Sequence, residues 1–277
     1  MDELYNDSCD TCRTQRVNLA KKKEFKKVLK SLEKAFKRLH KNEGYNPEDL
    51  QSTPEYQEAI KETYDLFDTV LQDNVVEGEL LKALQNDVFL FSSLRTHAQL
   101  LEASRLLLDE NKKIKPFSKF EEDYKKINTT YNSNYLESEY LFATGSAQQA
   151  DHWSRLDPDY LLQYRTAGDN AVRDSHKVLH NITLPIDDPF WIYYATPNGW
   201  RCRCTERQVR KGKYDISDSK EAIKKGEAAT TQIDKDGKNK LKIFRFNPGI
   251  NKVVFPPEHP YHKIQGANIV KEGITNE

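Results

Sequence analysis

The chain has 277 residues, with 43 Lys plus Arg balanced by 43 Asp plus Glu, so no global basic charge advertises a nucleic-acid-binding protein and only local patches could serve that role. Hydrophobic residues make up 37% and charged residues 31%, against roughly 45–50% and about 25% in ordinary globular chains, which favours long amphipathic helices with solvated faces over a compact, core-rich enzyme. The start, MDELYNDSCDTC, has neither a basic nor an apolar signal region, and no apolar run approaches the ~18 residues that span a bilayer; a soluble protein made in the cytoplasm is expected, with no membrane partner.

Residues 21–41, KKKEFKKVLKSLEKAFKRLHK, place Phe25, Val28, Leu29, Leu32, Phe36 and Leu39 at helical spacing, with ten basic residues and two acids in the window. Lys22, Lys23, Lys26, Lys27, Lys30, Lys34, Lys37 and Arg38 form either a solvated face or a contact for a nucleic-acid backbone or an acidic partner. GYNPED breaks this helix, and a second begins near Pro54, where the missing N–H costs nothing. Residues 77–111 read as one helix or a broken pair. A long helix is expected from about Ser118, with Tyr124, Ile127, Tyr131, Tyr135, Leu136 and Tyr140 forming a packing seam.

After Trp153 the texture changes. DYLLQYRTAGD is strand-like, NAVRDSHKVLH suits one short helix, and ITLPIDDPFWIYYATPNG is a Pro-rich, aromatic connection. WRCRCTERQVR alternates as a strand, SDSKEAIKKGEA suits a helix capped by Ser217 or Ser219, and KLKIFRFNPG and NKVVFPPEHP suggest two further strands. The expected fold class is α+β: a helical half, residues 1–151, followed by a small α+β module, residues 152–277.

The four cysteines fall in two close pairs, which in a chain without a secretion signal suggest metal or redox chemistry more than a disulfide framework. Cys202 and Cys204 with His176, His180 and nearby Asp169 make a ligand set that zinc favours, yet the same cysteines also read as small buried apolar residues or as a redox pair. Cys9 and Cys12 have metal-site spacing without a second ligand pair nearby. His259 and His262 in EHPYH read as surface-loop residues or as a source of a fourth ligand. Asp169, Arg173 and His176 suit a structural network better than a catalytic set, since no nucleophile elbow, Gly-rich phosphate loop or H-E-x-x-H accompanies them.

Taken as one unit, residues 164–209, YRTAGDNAVRDSHKVLHNITLPIDDPFWIYYATPNGWRCRCTERQV, resemble the signature of the phage head morphogenesis family, the minor head proteins typified by the F protein of phage Mu. The matching positions are Tyr164, Thr166, Asp169, Arg173, His176, Leu179, Asp187, Asp188, Phe190, Trp191, Pro197, Asn198, Gly199, Cys202, Arg203 and Cys204. The family's usual glycine after the helical segment is Asn181 here, which can also take a positive φ.

This resemblance implies a non-enzymatic, low-copy phage or prophage protein of the virion, inside the capsid and, during assembly, in the host bacterial cytoplasm. Its implied partners are the portal, other capsid components and packaged DNA bound without sequence preference, with no small-molecule substrate. It also implies a structural knot in which His176, Cys202 and Cys204 hold Zn2+, with Asp169 as fourth ligand. Related modules joined to toxin domains imply the alternative, a zinc-dependent hydrolase or toxin-like effector. The stretch after Gln208 shows no paired carboxylates at catalytic spacing.

Overall fold

The apolar stripe and lysine-rich flank of residues 22–41 produce the helix α2 (Lys22–Lys41), which buries Val28, Leu32, Ala35, Phe36 and Leu39 and leaves the lysines from Lys23 onward in solvent. The structure, a computed structural model, describes residues 2–5, 22–75, 78–129, 131 and 135–275; Cys9 and Cys12 lie outside the described residues. The chain divides into two compact units, one of Met1–Arg16, Val70–Leu84 and Ser138–Glu258, the other of Val17–Thr69, Gln85–Glu137 and His259–Glu277.

The second of these units is helical. Besides α2 it contains α3 (Asp49–Ser52), most of α4 (Pro54–Asn74) and of α5 (Glu79–Ser104), α6 (Phe117–Thr129) and α12 (Ala267–Thr275). Pro54 occupies the first turn of α4 as its lack of an N–H allows, and Thr53 O accepts from the N–H groups of Tyr56 and Gln57. Helix α5 is buried all round from Phe91 to Leu100, which explains why its sequence carries little amphipathic signal. The aromatic seam is real but is shared between elements: Phe36 packs on Tyr124 at 4.9 Å. His40 lies against Phe117 and Phe120, both at 5.3 Å, and its Nε2 meets Lys115 O at 2.8 Å.

The other unit is built on a three-stranded antiparallel sheet of order β2-β1-β3, with β1 (Tyr160–Arg165) central, β2 (Thr183–Pro185) and β3 (Thr205–Arg210) at the edges. The register pairs Leu162 with Leu184 on one side and with Gln208 on the other. Around it lie α7 (Leu136–Ser154), α8 (Asp174–Lys177), α9 (Phe190–Tyr194), α10 (Ser219–Ala229) and α11 (Pro248–Asn251). Leu162, Tyr164, Leu179, Ile182, Leu184, Phe190, Trp191 and Tyr194 form the core, with Cys204 inside it. The short α1 (Asp2–Tyr5) ends on Tyr5, whose ring stacks on Trp200 at 4.7 Å and whose hydroxyl donates to Glu139 at 2.7 Å.

The α+β class holds, and three finer expectations change. Of the long helix expected from Ser118, the described residues are helical over α6 and α7, with Tyr131 and Tyr135 in π-helical turns between them. No division falls at residue 151, because Phe142 of α7 packs on Trp200 and Phe244, at 5.0 and 5.4 Å, and so ties the helix to the sheet-bearing unit. Residues 241–259 contain no strand: a 3-10 turn at Lys242–Phe244 and the one-turn α11 bury Phe244, Phe246, Val254 and Phe255 without a ladder. There Asn247 caps α11 through Gly249 and Ile250 and donates to Trp191 O, so side chains satisfy backbone groups that a strand would have paired. Finally, Asp218 caps α10, accepting from Glu221 N at 2.9 Å, while Ser217 accepts from Thr183 N.

Candidate metal centre

Three loops deliver the site. One-turn helix α8 follows Arg173 and points His176, only 2% exposed, into the core. The segment after β1 carries Asp169, and the Pro-Asn-Gly turn feeds Cys202 and Cys204 into β3. Both cysteines sit just ahead of the strand rather than within it, because Cys202 N–H closes a turn on Gly199 O at 3.2 Å.

His176 Nδ1 lies 3.7 Å from Cys202 Sγ and 3.6 Å from Cys204 Sγ, and the three donor atoms are all within 4.8 Å of one another. Bond lengths of 2.3 Å to sulfur and 2.0–2.1 Å to nitrogen put the N···S edge of a tetrahedral zinc site at about 3.6 Å. The observed separations therefore fit a shared ion as well as a thiol–imidazole hydrogen bond. The donor chemistry fits too, two soft thiols and a borderline imidazole. The thiols are electrostatically unequal. A hydrogen bond from Cys204 pulls Cys202 well below the ordinary thiol range, while the same bond, with burial, pushes Cys204 up.

Asp169 is not part of this group. Its carboxylate, 49% exposed, takes both guanidinium nitrogens of Arg203 at 2.6 and 2.7 Å, and that pairing holds its pKa below the usual carboxylate range. Asp169 thereby braces the residue between the two cysteines from outside. His180 turns away to Thr166, with Nδ1 2.8 Å from Oγ1. His259 and His262 belong to the helical unit, where His259 is fully buried against Phe91 and Tyr261 and is no surface residue.

The remaining signature residues form a frame. Tyr164 OH donates to Asn198 Oδ1 at 2.9 Å, and Asn198 Nδ2 donates to Ala195 O, fixing the turn ahead of Cys202. Arg173 Nη2 donates to Trp200 O, and Pro197 follows a cis peptide beside Gly145. Asp188 receives Phe190 N and Ser219 Oγ, Trp191 Nε1 donates to Pro185 O, and Asn181 takes φ 67° where the family has glycine. Asp187 is exposed, and the backbone at Gly199 passes close to the Arg173 guanidinium.

In the helical unit, Lys23, Lys27, Lys30, Lys34, Lys37 and Lys41 recur at alternating steps of four and three, one exposed face about 27 Å long at 1.5 Å per residue. Lys26 flanks that face. Lys34 pairs with Glu58 at 2.6 Å and Arg38 approaches Glu55 at 3.9 Å, so these two are partly neutralised. Nothing is described of the Lys22 side chain.

Sequence reasoning missed a group beside the cysteines. Gln149 and His152 of α7 and Glu206 of β3 line a cleft of about 330 Å³ together with Cys202 and Cys204. Burial pushes the Glu206 carboxyl up to about 8. A glutamate just inside the strand that follows the Cys202–Cys204 pair was the available signal.

Residues 66–207 match the family described as Phage Mu protein F like protein. The chain is 34% identical over 85 residues to the putative capsid assembly protein F of Escherichia phage Mu, covering 31% of this chain and 18% of that protein. It is 31% identical over 106 residues to the Mu-like prophage FluMu F protein of Haemophilus influenzae, covering 36% of this chain and 25% of that protein. The chain thus spans a quarter or less of the length of these relatives. No solved structure matches.

Proposed function

Because this chain belongs to the family of phage Mu protein F-like proteins, whose match contains the whole His176–Cys202–Cys204 group, we propose that it is a structural protein of phage or prophage head morphogenesis. The observation that carries this reading is the family match itself, reinforced by a relative named for capsid assembly. Assembly rather than catalysis is the role that name suggests. In this reading the protein resides in the capsid interior and works with the portal and other capsid components.

His176, Cys202 and Cys204 would hold Zn2+, and a bound ion would supply cross-linking of α8 to the strand entry of β3, a structural rather than a reactive contribution. Arg203, gripped by Asp169, keeps the loop between the two thiols in place. The lysine face of α2 would lie on packaged DNA, neutralising phosphates without reading bases.

Quantitative mass spectrometry of particles from a strain carrying the gene tests the role, comparing DNA-filled heads with portal-containing empty ones. A low copy number tied to portal is expected. Absence from every particle, with the protein free in the cytoplasm, would overturn the head-assembly reading.

A further inference from the structure

Opposite the core residues Leu162 and Tyr164, the sheet carries cations with no acid to answer them. Side chains alternate along a strand, so Gln163 and Arg165 of β1 lie on that second face, with Arg207 of β3 across from Gln163. Arg165 faces Thr205 in register and is therefore the diagonal neighbour of Arg207, about 7–8 Å away. Both guanidinium groups are held by neutral acceptors. Arg165 Nη1 donates to Asn181 Oδ1, while Arg207 Nε and Nη2 donate to Gln163 Oε1 at 3.0 and 2.7 Å, and Nη2 also to Tyr214 OH at 3.0 Å. Among the described residues neither arginine pairs with a carboxylate. His180 stands where both charges reach it: burial first, then Arg165 and Arg207, hold its pKa below the ordinary imidazole range. Its Nδ1 accepts from Thr166 N–H at 3.2 Å, so the neutral ring keeps its proton on Nε2, a further donor. Lys213 extends the group, its ammonium 5.5 Å from the Tyr214 ring that Arg207 approaches at 5.6 Å. Like charges brought together across strands cost stability, and here the fold fixes them in place without neutralising them.

We propose that Arg165, His180, Arg207 and Lys213 bind phosphates of a nucleic-acid backbone, which gives the sheet-bearing unit a DNA contact of its own through residues that α2 does not share. The chemistry selects that class. A guanidinium fork matches two oxygens of one phosphate and is more weakly hydrated than an ammonium, so little is lost when it leaves water for the anion. Arg165 and Arg207 arrive already oriented by Asn181, Gln163 and Tyr214, which reduces what binding must order. Arg207 and Lys213 are exposed, so the cations form an open track on which a long polyanion can lie. Contacts of this kind position a duplex without reading its bases. Strand pairing is what assembles the track, since β1, the turn after α8, and β3 with its following turn each bring one part.

The test uses the full chain, isotope-labelled at arginine. It is titrated with a short DNA duplex of arbitrary sequence, with inorganic phosphate at the same phosphate concentration, and with poly-glutamate at the same total charge. Expected are NMR shift changes at the Nε–H groups of Arg165 and Arg207 with the duplex, and much smaller ones with the other two probes. Arg165→Gln with Arg207→Gln should flatten the log–log salt slope of duplex affinity by about 2, so that the loss between 50 and 200 mM salt becomes about 16-fold smaller. The wild-type signals carry the test even where the double variant folds poorly. Arginine signals unmoved by the duplex would overturn the site. Equal shifts with inorganic phosphate would overturn the polymer and leave a small-anion site, while equal shifts with poly-glutamate would overturn phosphate in favour of an acidic protein partner. In the chain carrying Lys27→Ala and Lys30→Ala the Arg165 and Arg207 shifts should persist, so failure of the α2 contact and failure of this one are read separately; their disappearance there would overturn the sheet face as a site of its own. None of these readouts depends on a role in head assembly.

Discussion

Replacing Cys202 by Ser tests the metal centre with little change of shape, since the hydroxyl is a poor zinc ligand and Cys202 is only half-buried. The three donors already stand 3.6 and 3.7 Å apart along the His176 edges, so the wild-type site needs little rearrangement to close on an ion. An ion that binds the folded state alone stabilises it by RT ln(1 + [L]/Kd), about 4 kcal/mol at a thousandfold excess of free zinc over Kd. At roughly 2–4 °C per kcal/mol for a domain of 150–250 residues, chelation should lower the wild-type melting temperature by roughly 8–16 °C. Calorimetry with and without chelator, alongside metal analysis of the purified chain, reads this directly. Cys202→Ser should bind substoichiometric zinc and melt near the chelated wild type under both conditions. If wild type refolded with zinc contains none and its melting ignores chelator, the three residues are a packed thiol–imidazole cluster and the reasoning fails.

The remaining predictions concern the lysine face, one tight contact and two buried histidines. About five phosphates engaged by α2 should make DNA affinity fall several hundred-fold between 50 and 200 mM salt, and Lys27→Ala with Lys30→Ala should flatten the log–log slope by about 2; a salt-independent affinity would refute DNA contact through this face. Gly226→Ala places a Cβ 2.5 Å from the Tyr194 ring, so despite the helix propensity gained it should destabilise by about 1–3 kcal/mol in urea melts, with Tyr194→Leu relieving part of the loss; a more stable Gly226→Ala variant would contradict the packing. Burial lowers the pKa of both His97 and His259, so the folded state resists protonation that the unfolded chain accepts. Their stabilisation is therefore full above about pH 6.5 and drains as pH falls toward the folded values, at up to about 1.4 kcal/mol per pH unit for each group. Unfolding free energies that stay flat between pH 7 and 5 in wild type, or an unaltered slope in His97→Gln, would count against it.

Strong periodicity made α2 and α4 readable, and alternation located β3, because each of these elements pairs one apolar face with a wetter one, whereas the central β1 is buried on both faces and carries no such alternation. Helix α5 was harder to delimit since burial on every side erases the stripe. Phe244, Phe246, Val254 and Phe255 misled in the opposite direction: they enter the core from an irregular segment in which Asn247 caps Gly249 N and Ile250 N. In the site, residue type and spacing pointed to His176, Cys202 and Cys204, while Asp169 was drawn in by its nearness in sequence. What spacing could not convey is that Arg203, between the cysteines, would claim that carboxylate from the opposite side. Gln149 and His152 were hidden for a simpler reason, as α7 reads from sequence as one more packing helix and its meeting with β3 is tertiary.

Neither compact unit is a continuous stretch of chain, and this governs how the protein reaches its structure. The helical unit takes its last segment from His259–Glu277, after all of the sheet-bearing unit has been laid down, and the sheet-bearing unit in turn draws on Val70–Leu84, far upstream of its strands. Contacts of such long sequence separation must wait for loop closure, which slows folding. During synthesis α2, α4 and α5 therefore emerge with apolar faces that their final neighbours cannot yet cover, an interval in which a chaperone or an assembly partner would have most to hold.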